Sequence, residues 1–104
     1  MGDRICLTFV RGGERSPVLY AHSDGKDLLN SAKEFWDTYH ALIRDEPSNW
    51  MFNFANWLRN GSIIDGGYYL YPDEEHCCSP DDNGYWEFDT STGEYRQTEK
   101  GEYE

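Results

Sequence analysis

The first part of the chain alternates apolar and polar residues. In "RICLTFV" (4–10) every second side chain is apolar, which is typical of a strand with one buried face. "RGGE" (11–14) supplies two glycines for a tight turn, and "SPVLYAH" (16–22) follows as a second strand. The pattern predicts a β-hairpin at the start of the chain.

Between residues 23 and 60 the apolar spacing changes from two residues to three or four. This spacing predicts a helix over 23–46 with one wide apolar stripe. The residues of the stripe are Leu28, Leu29, Ala32, Phe35, Trp36, Tyr39, Leu42 and Ile43. Pro47 is expected to end this helix, because proline restricts the backbone of the residue before it. Ser48 then caps a second predicted helix over 49–60.

Alternation returns in the last third of the chain. Short strands are predicted at "SIID" (62–65), "YYLYP" (68–72) and "YWEFD" (85–89). "TSTGEYR" (90–96) predicts a turn and an edge strand. The predicted strands therefore stand at the two ends of the chain, with the helices between them.

The order of these elements predicts the fold class. The order β-β-α-α-β-β, with one further strand, is typical of an α+β protein in which two helices cover one face of a sheet. We expect an antiparallel sheet of four to five strands. Residues 1–96 are expected to form this single domain, and residues 97–104 a flexible acidic tail.

The charge is concentrated at one end of the chain. Twenty acidic and nine basic residues give a net charge of −11. Residues 1–64 hold eight acids and seven bases, net −1, whereas residues 65–104 hold twelve acids and two bases, net −10. Such a field repels nucleic acids and anionic membranes and attracts basic partners. The alternative is that the acids serve only solubility.

Composition also bears on location and chemistry. The chain has no apolar run of 18 residues, and "MGDRICLTF" lacks the features of a signal peptide. Three cysteines, two of them adjacent, do not suit a disulfide framework, so a reducing cytoplasmic location is expected. No family signature surrounds the cysteines and histidines. We therefore expect a protein that is not an enzyme and has no cofactor.

The stretch "DEEHCCSPDD" (73–82) raises the question of a metal or thiol site. His76, Cys77 and Cys78 are metal ligands or nucleophiles within one loop. Adjacent cysteines point their side chains in different directions, whereas zinc ligands are usually two or more residues apart. We interpret the stretch as an exposed acidic loop. The alternative is a metal-binding or thiol-reactive protein that uses these three residues.

Tyrosines and acids are interleaved from residue 68 onward. Along the strand at 85–89, Trp86 and Phe88 are expected to face the core, which leaves the alternate positions on the other face. Tyrosine is favoured at binding surfaces, and carboxylates pair with Arg and Lys of a partner. The predicted interaction residues are Tyr69, Tyr71, Asp73, Glu74, Glu75, Asp81, Asp82, Tyr85, Glu87 and Asp89.

Several stretches together resemble a set of small acidic proteins encoded by prophages and mobile elements. They are "DRICLTF", "SPVLYAHSDG", "NWMFNFANWL" and "DNGYWEFD", and the likeness covers most of residues 3–89. By analogy with the anti-CRISPR and anti-restriction proteins of phages, the resemblance implies an inhibitor. An acidic face of this kind imitates the charge of a nucleic-acid backbone.

The expected function is therefore protein–protein binding. The expected partner is a basic host protein that handles nucleic acid, and direct contact with nucleic acid or with a membrane is not expected. A further alternative is a self-assembling structural protein. In that case exposed edge strands near "GSIID" (61–65) pair two copies as a homodimer.

Overall fold

The computed structural model describes residues 3–44, 46–59, 67–77 and 82–99. Its elements are, in chain order, β1 (Ile5–Arg11), β2 (Glu14–Arg15), β3 (Val18–Ala21), α1 (Asp27–Tyr39), α2 (Pro47–Arg59), β4 (Tyr68–Tyr71), β5 (Tyr85–Asp89) and β6 (Tyr95–Glu99). Two helices stand between two groups of strands, so the predicted α+β class is confirmed. The strand expected at 62–65 lies outside the described residues.

The strands form one mixed sheet in the order β4-β3-β1-β5-β6, with β2 paired to β1. β1 pairs antiparallel with β3 and parallel with β5, and Cys6 lies opposite Tyr85 in the parallel pair. The pairs β3–β4 and β5–β6 are antiparallel. The expectation of an antiparallel sheet is therefore corrected. A long connection that contains helices lets β5 enter the sheet in the same direction as β1, which a hairpin does not allow.

Helix α1 is shorter than the sequence pattern predicts. It spans Asp27–Tyr39 rather than 23–46, and Leu42, a member of the predicted stripe, is 80% exposed. Leu28, Leu29, Ala32 and Phe35 of the stripe are buried. The apolar spacing therefore identifies the buried face of the helix and overestimates its length.

Helix α2 begins at Pro47 and ends at Arg59. Proline is well suited to the first turn of a helix, because its missing N–H has no partner there and its φ is already helical. Pro47 thus starts the second helix, and Ser48, predicted as its cap, lies inside it.

One main core lies between the helices and the sheet. Phe9 of β1 is at its centre, with ring centroids 5.3 Å from Phe54, 5.5 Å from Phe88 and 6.3 Å from Trp50. Such tilted and edge-to-face pairs are favoured by the charge distribution of aromatic rings. The buried members of this core are Ile5, Leu7, Phe9, Leu19, Ala21, Leu28, Leu29, Ala32, Phe35, Trp50, Met51, Phe54 and Phe88.

Helix α1 also holds the turn between β5 and β6. The indole Nε1 of Trp36 donates to the carbonyl of Thr90 at 2.9 Å, and Lys33 Nζ donates to the carbonyl of Gly93 at 3.1 Å. Gly93 has φ +76°, and a Cβ there would lie 2.7 Å from the Trp36 ring. Glycine is therefore required at this turn both by the backbone and by the close approach of the helix.

The last strand extends further along the chain than the sequence pattern predicts. Strand β6 continues to Glu99, so residues 97–99 belong to the sheet and not to a tail that begins at 97. Residues 100–104 lie outside the described residues. Among the helices that the structure describes, none has the length and apolar character needed to cross a membrane.

Candidate interaction face

The sheet face opposite the helices is called here the open face. Side chains alternate between the two faces of a strand, so Trp86 and Phe88 of β5 contact the core while Tyr85, Glu87 and Asp89 belong to the open face. This is the arrangement that the alternation predicts. The face carries a second, smaller apolar cluster of Cys6, Val18 and Tyr20, against which Tyr71, Cys77 and Tyr85 pack.

The loop at 72–77 follows β4 directly and turns onto the open face. Its last described residue, Cys77, has its Sγ 3.8 Å from the Sγ of Cys6 and 3.6 Å from the hydroxyl of Tyr85. The thiol also lies 3.3 Å from the carbonyl of Glu74 within the loop. Cys77 therefore anchors the loop to the sheet, while Asp73 and Glu75 of the same loop are exposed.

Glu87 lies in the middle of an ion-pair network on the open face. Arg15 of β2 donates one hydrogen bond to Glu87, and Nη2 of Arg96 lies 3.0 Å from its other carboxylate oxygen. Arg15 also binds Glu74, with Nη2 2.8 Å from Oε1. Only 11% of the Glu87 side chain is exposed. The charge of Glu87 is therefore satisfied within the chain.

The titration of Glu87 reflects two opposed effects. Burial favours the protonated acid and raises the pKa of Glu87, but the hydrogen bonds from Arg15 and Arg96 stabilise the carboxylate and outweigh burial. The pKa of Glu87 therefore lies below its ordinary value. A carboxylate held in this way stays ionised near neutral pH, and it supports the sheet as a fixed anion.

Asp82 is also paired within the chain. Its Oδ2 accepts hydrogen bonds from the backbone N–H of Arg4 at 3.0 Å and from the Arg4 Nε at 3.2 Å. The backbone hydrogen bond is the main reason that the pKa of Asp82 is lowered. Asp82 thereby ties the chain ahead of β5 to the start of β1.

The exposed part of the loop is formed by Asp73, Glu75 and His76. One ligand atom from each lies within 4.8 Å of the others, and all three side chains are exposed. Nδ1 of His76 lies 2.6 Å from Oδ1 of Asp73, and this hydrogen bond lowers the pKa of Asp73. Carboxylates with this exposure are able to accept hydrogen bonds from Arg or Lys of another molecule.

The histidine and cysteine of the loop have different surroundings. His76 pairs with Asp73, whereas Cys77 contacts Cys6 and Tyr85. Cys78, the third residue of the predicted metal or thiol set, lies outside the described residues. The described part of the set therefore divides between an exposed carboxylate–imidazole pair and a half-buried thiol.

Three tyrosines line the open face at β3 and β4. The ring centroids of Tyr69 and Tyr71 are 6.4 Å apart, and that of Tyr20 lies 5.8 Å from Tyr69. Tyr69 is 52% exposed, whereas Tyr20 is buried. Tyr69 therefore presents a ring to solvent that is supported on its other side by aromatic neighbours.

The remaining predicted interaction residues have other positions. Asp89 is half-buried, and its Oδ1 accepts a hydrogen bond from the backbone N–H of Ser91 at 2.8 Å, which stabilises the β5–β6 turn. Tyr85 is half-buried beneath Cys77. Asp81 lies outside the described residues. The structure therefore brings together five of the predicted residues at β4 and the loop that follows it, namely Tyr69, Tyr71, Asp73, Glu74 and Glu75.

Three participants in this face, Tyr20, Arg15 and Cys6, are not among the predicted interaction residues. Tyr20 was open to prediction, because it alternates with the buried Leu19 in the same strand. Arg15 and Cys6 had no comparable signal. Their partners Glu87 and Cys77 are 72 and 71 residues away, and local spacing carries no information about such contacts.

Comparison of the chain with protein-family models, with curated proteins and with solved structures finds no match. The fold and the face thus define a class by geometry alone, a small acidic α+β protein with a mixed sheet and one loop anchored on its open face.

Proposed function

We propose that this protein acts by binding a basic protein partner. The contact surface is formed by Tyr69 and Tyr71 of β4 and by the exposed carboxylates of Asp73 and Glu75. The observation that carries the proposal is the direct continuation of β4 into the loop, which sets a supported, 52% exposed Tyr69 ring a few residues from two exposed acids. Stiff aromatic rings are enriched in protein interfaces, and exposed carboxylates pair with Arg and Lys of a partner.

The overall charge supports a basic partner. The chain has twenty acidic residues and nine Lys and Arg residues, so ion pairs within the chain leave a large negative excess. A surface of one sign accelerates encounter with a partner of the opposite sign and disfavours partners of the same sign. Ion pairs with three described arginines neutralise Glu74, Asp82 and Glu87. Asp73 and Glu75 remain exposed to solvent.

We propose further that the partner is a host protein that handles nucleic acid and that binding inhibits it. The net charge of −10 in residues 65–104 supports this class. Proteins that bind nucleic acids present clustered Lys and Arg to phosphates, and an acidic face competes for those groups. Asp82 is paired with Arg4 inside the chain, whereas the carboxylates of Asp73 and Glu75 are exposed. These two exposed acids are therefore the direct contacts in this proposal.

The test is a comparison of three forms of the full chain as bait. One is the natural chain, the second carries Asp73→Asn and Glu75→Gln, and the third carries Glu34→Gln and Asp37→Asn on α1. Both double variants lose two exposed negative charges, so they have equal net charge. A lysate from a bacterium with restriction and CRISPR systems supplies candidate partners, at low and at high salt.

The expected result is a basic nucleic-acid-binding protein that the natural chain and the α1 variant retain at low salt. The loop variant is expected to retain at least about tenfold less of it, and high salt to release it. The purified pair is then tested for displacement by duplex DNA. Equal capture by all three baits, or capture that DNA does not reduce, contradicts the proposal.

A further inference from the structure

Two cysteine thiols face each other across the open face. Cys6 belongs to the central strand β1 and is 1% exposed, and Cys77 is half-buried in the loop that folds over it. Their sulfur atoms lie 3.8 Å apart although the residues are 71 positions apart in the chain. The sulfurs touch inside a small apolar cluster that includes Tyr20, Tyr71 and Tyr85.

We propose that Cys6 and Cys77 are a thiol-modification site that forms a reversible disulfide. A disulfide needs a sulfur–sulfur distance of about 2.05 Å, so the two atoms must approach by a little under 2 Å. The required movement falls on the loop, because β1 is held by β3 on one side and by β5 on the other. The inference does not rest on the proposed partner.

The reaction needs an oxidant, and a low-molecular-weight disulfide such as oxidised glutathione supplies it. Cys77 is the more accessible sulfur, so its thiolate attacks the glutathione disulfide and expels one glutathione thiolate. The thiolate of Cys6 then attacks the Cys77 sulfur and expels the second. The two protons of the cysteine thiols pass to the two glutathione molecules, so one disulfide is reduced as one forms.

The bond has a structural consequence. It fixes the loop that carries Asp73 and Glu75 to the central strand of the sheet. It also joins residues 71 positions apart, which restricts the unfolded chain strongly. We expect the oxidised protein to unfold at a temperature higher by on the order of 10 °C.

The experiment begins with the reduced full chain and oxidised glutathione. The intact mass is expected to fall by the mass of two hydrogens, and peptide mapping after thiol blocking is expected to join the peptides of Cys6 and Cys77. Thermal unfolding is followed on the same samples, and a reductant is expected to reverse both changes. A disulfide that joins Cys77 to Cys78, or Cys6 to Cys78, overturns the proposal.

Three variants test the order of the steps. Cys78→Ser is expected to oxidise like the natural chain. Cys6→Ser is expected to stop at the first step and to accumulate a glutathione adduct on Cys77. Cys77→Ser lies outside the strands and helices, so we expect the fold to remain and no internal disulfide to form, and circular dichroism of the variant checks the fold. Equal oxidation of Cys77→Ser, or a stable glutathione adduct on Cys77 of the natural chain, overturns the proposal.

Discussion

Glu87 has surroundings that differ from those that its sequence position indicates. Its alternation with Trp86 and Phe88 places it correctly on the face opposite the core. Its carboxylate is nevertheless enclosed by Arg15 and Arg96, with 11% of the side chain exposed. Glu87 therefore stabilises the fold although it lies on the face opposite the core, because its carboxylate binds the side chains of Arg15 and Arg96.

We expect Glu87→Gln to lower the free energy of unfolding by about 1–3 kcal/mol, since it leaves two arginine side chains without their shared anion. Glu34→Gln on the exposed face of α1 is the matched control and is expected to change it by less than about 0.5 kcal/mol. Urea unfolding of both variants measures the difference. Equal free energies of unfolding for Glu87→Gln and Glu34→Gln would show that the ion pairs of Glu87 do not stabilise the protein.

Gly93 is a second residue with a demanding position. We expect Gly93→Ala to destabilise the protein by about 2–4 kcal/mol, because the left-handed backbone and the nearby Trp36 ring both oppose a side chain. Gly12→Ala has a positive φ and open space, so it is expected to cost only about 1–2 kcal/mol. Gly13→Ala has open space and no positive φ, and it is expected to be nearly neutral.

The three glycine variants separate backbone strain from steric contact when their unfolding midpoints in urea are compared. A cost for Gly93→Ala no greater than that for Gly12→Ala would mean that Trp36 moves aside readily. In that case the contact between α1 and the β5–β6 turn would be weaker than its geometry indicates.

At the scale of elements, the helices show where apolar spacing ceases to be informative. The spacing continues through Leu42 and Ile43, yet α1 ends at Tyr39. The residues after Tyr39 form the connection to α2, which starts at Pro47. Packing of two helices on one sheet requires a connection, and a periodic pattern that runs through that connection does not reveal it.

Burial along the predicted apolar stripe is tested by the same Leu→Ala substitution at two of its positions. Leu28→Ala removes a fully buried side chain and is expected to cost about 2–5 kcal/mol. Leu42→Ala removes a side chain that is 80% exposed and is expected to cost less than about 0.5 kcal/mol. Chemical unfolding of both variants is the measurement. A large cost at Leu42 would mean that it belongs to the buried stripe after all.

At the scale of the whole molecule, acid titration is expected to reduce stability. The pKa values of Asp73, Asp82 and Glu87 are lowered, so these groups bind more protons in the unfolded state at pH values near their ordinary pKa. Their contribution to the free energy of unfolding is fully present above the ordinary pKa values, which are 3.8 for Asp and 4.5 for Glu. It is lost as the pH falls through the lowered pKa values of the folded protein.

We therefore expect the free energy of unfolding to decrease as the pH is lowered from about 5 toward about 3. Glu87→Gln is expected to show a smaller decrease than the natural chain over the same range, because one of the responsible groups is absent. Urea unfolding at a series of pH values measures both curves. Parallel curves would show that Glu87 does not contribute to the acid sensitivity.

Local hydrophobic spacing was enough to predict the α+β class, the strand at Tyr85–Asp89 and the core-facing side chains of β1, β5 and the helices. It did not predict that Cys6 and Thr8, on the other face of β1, are buried as well. The parallel pairing of β1 with β5 is evident only from the folded structure. The same is true of the ion pairs of Glu87 with Arg15 and Arg96 and of the contact of Cys6 with Cys77. These features join residues that are far apart in the chain. The spacing of apolar residues within one segment does not indicate which other segment it will contact in the folded protein.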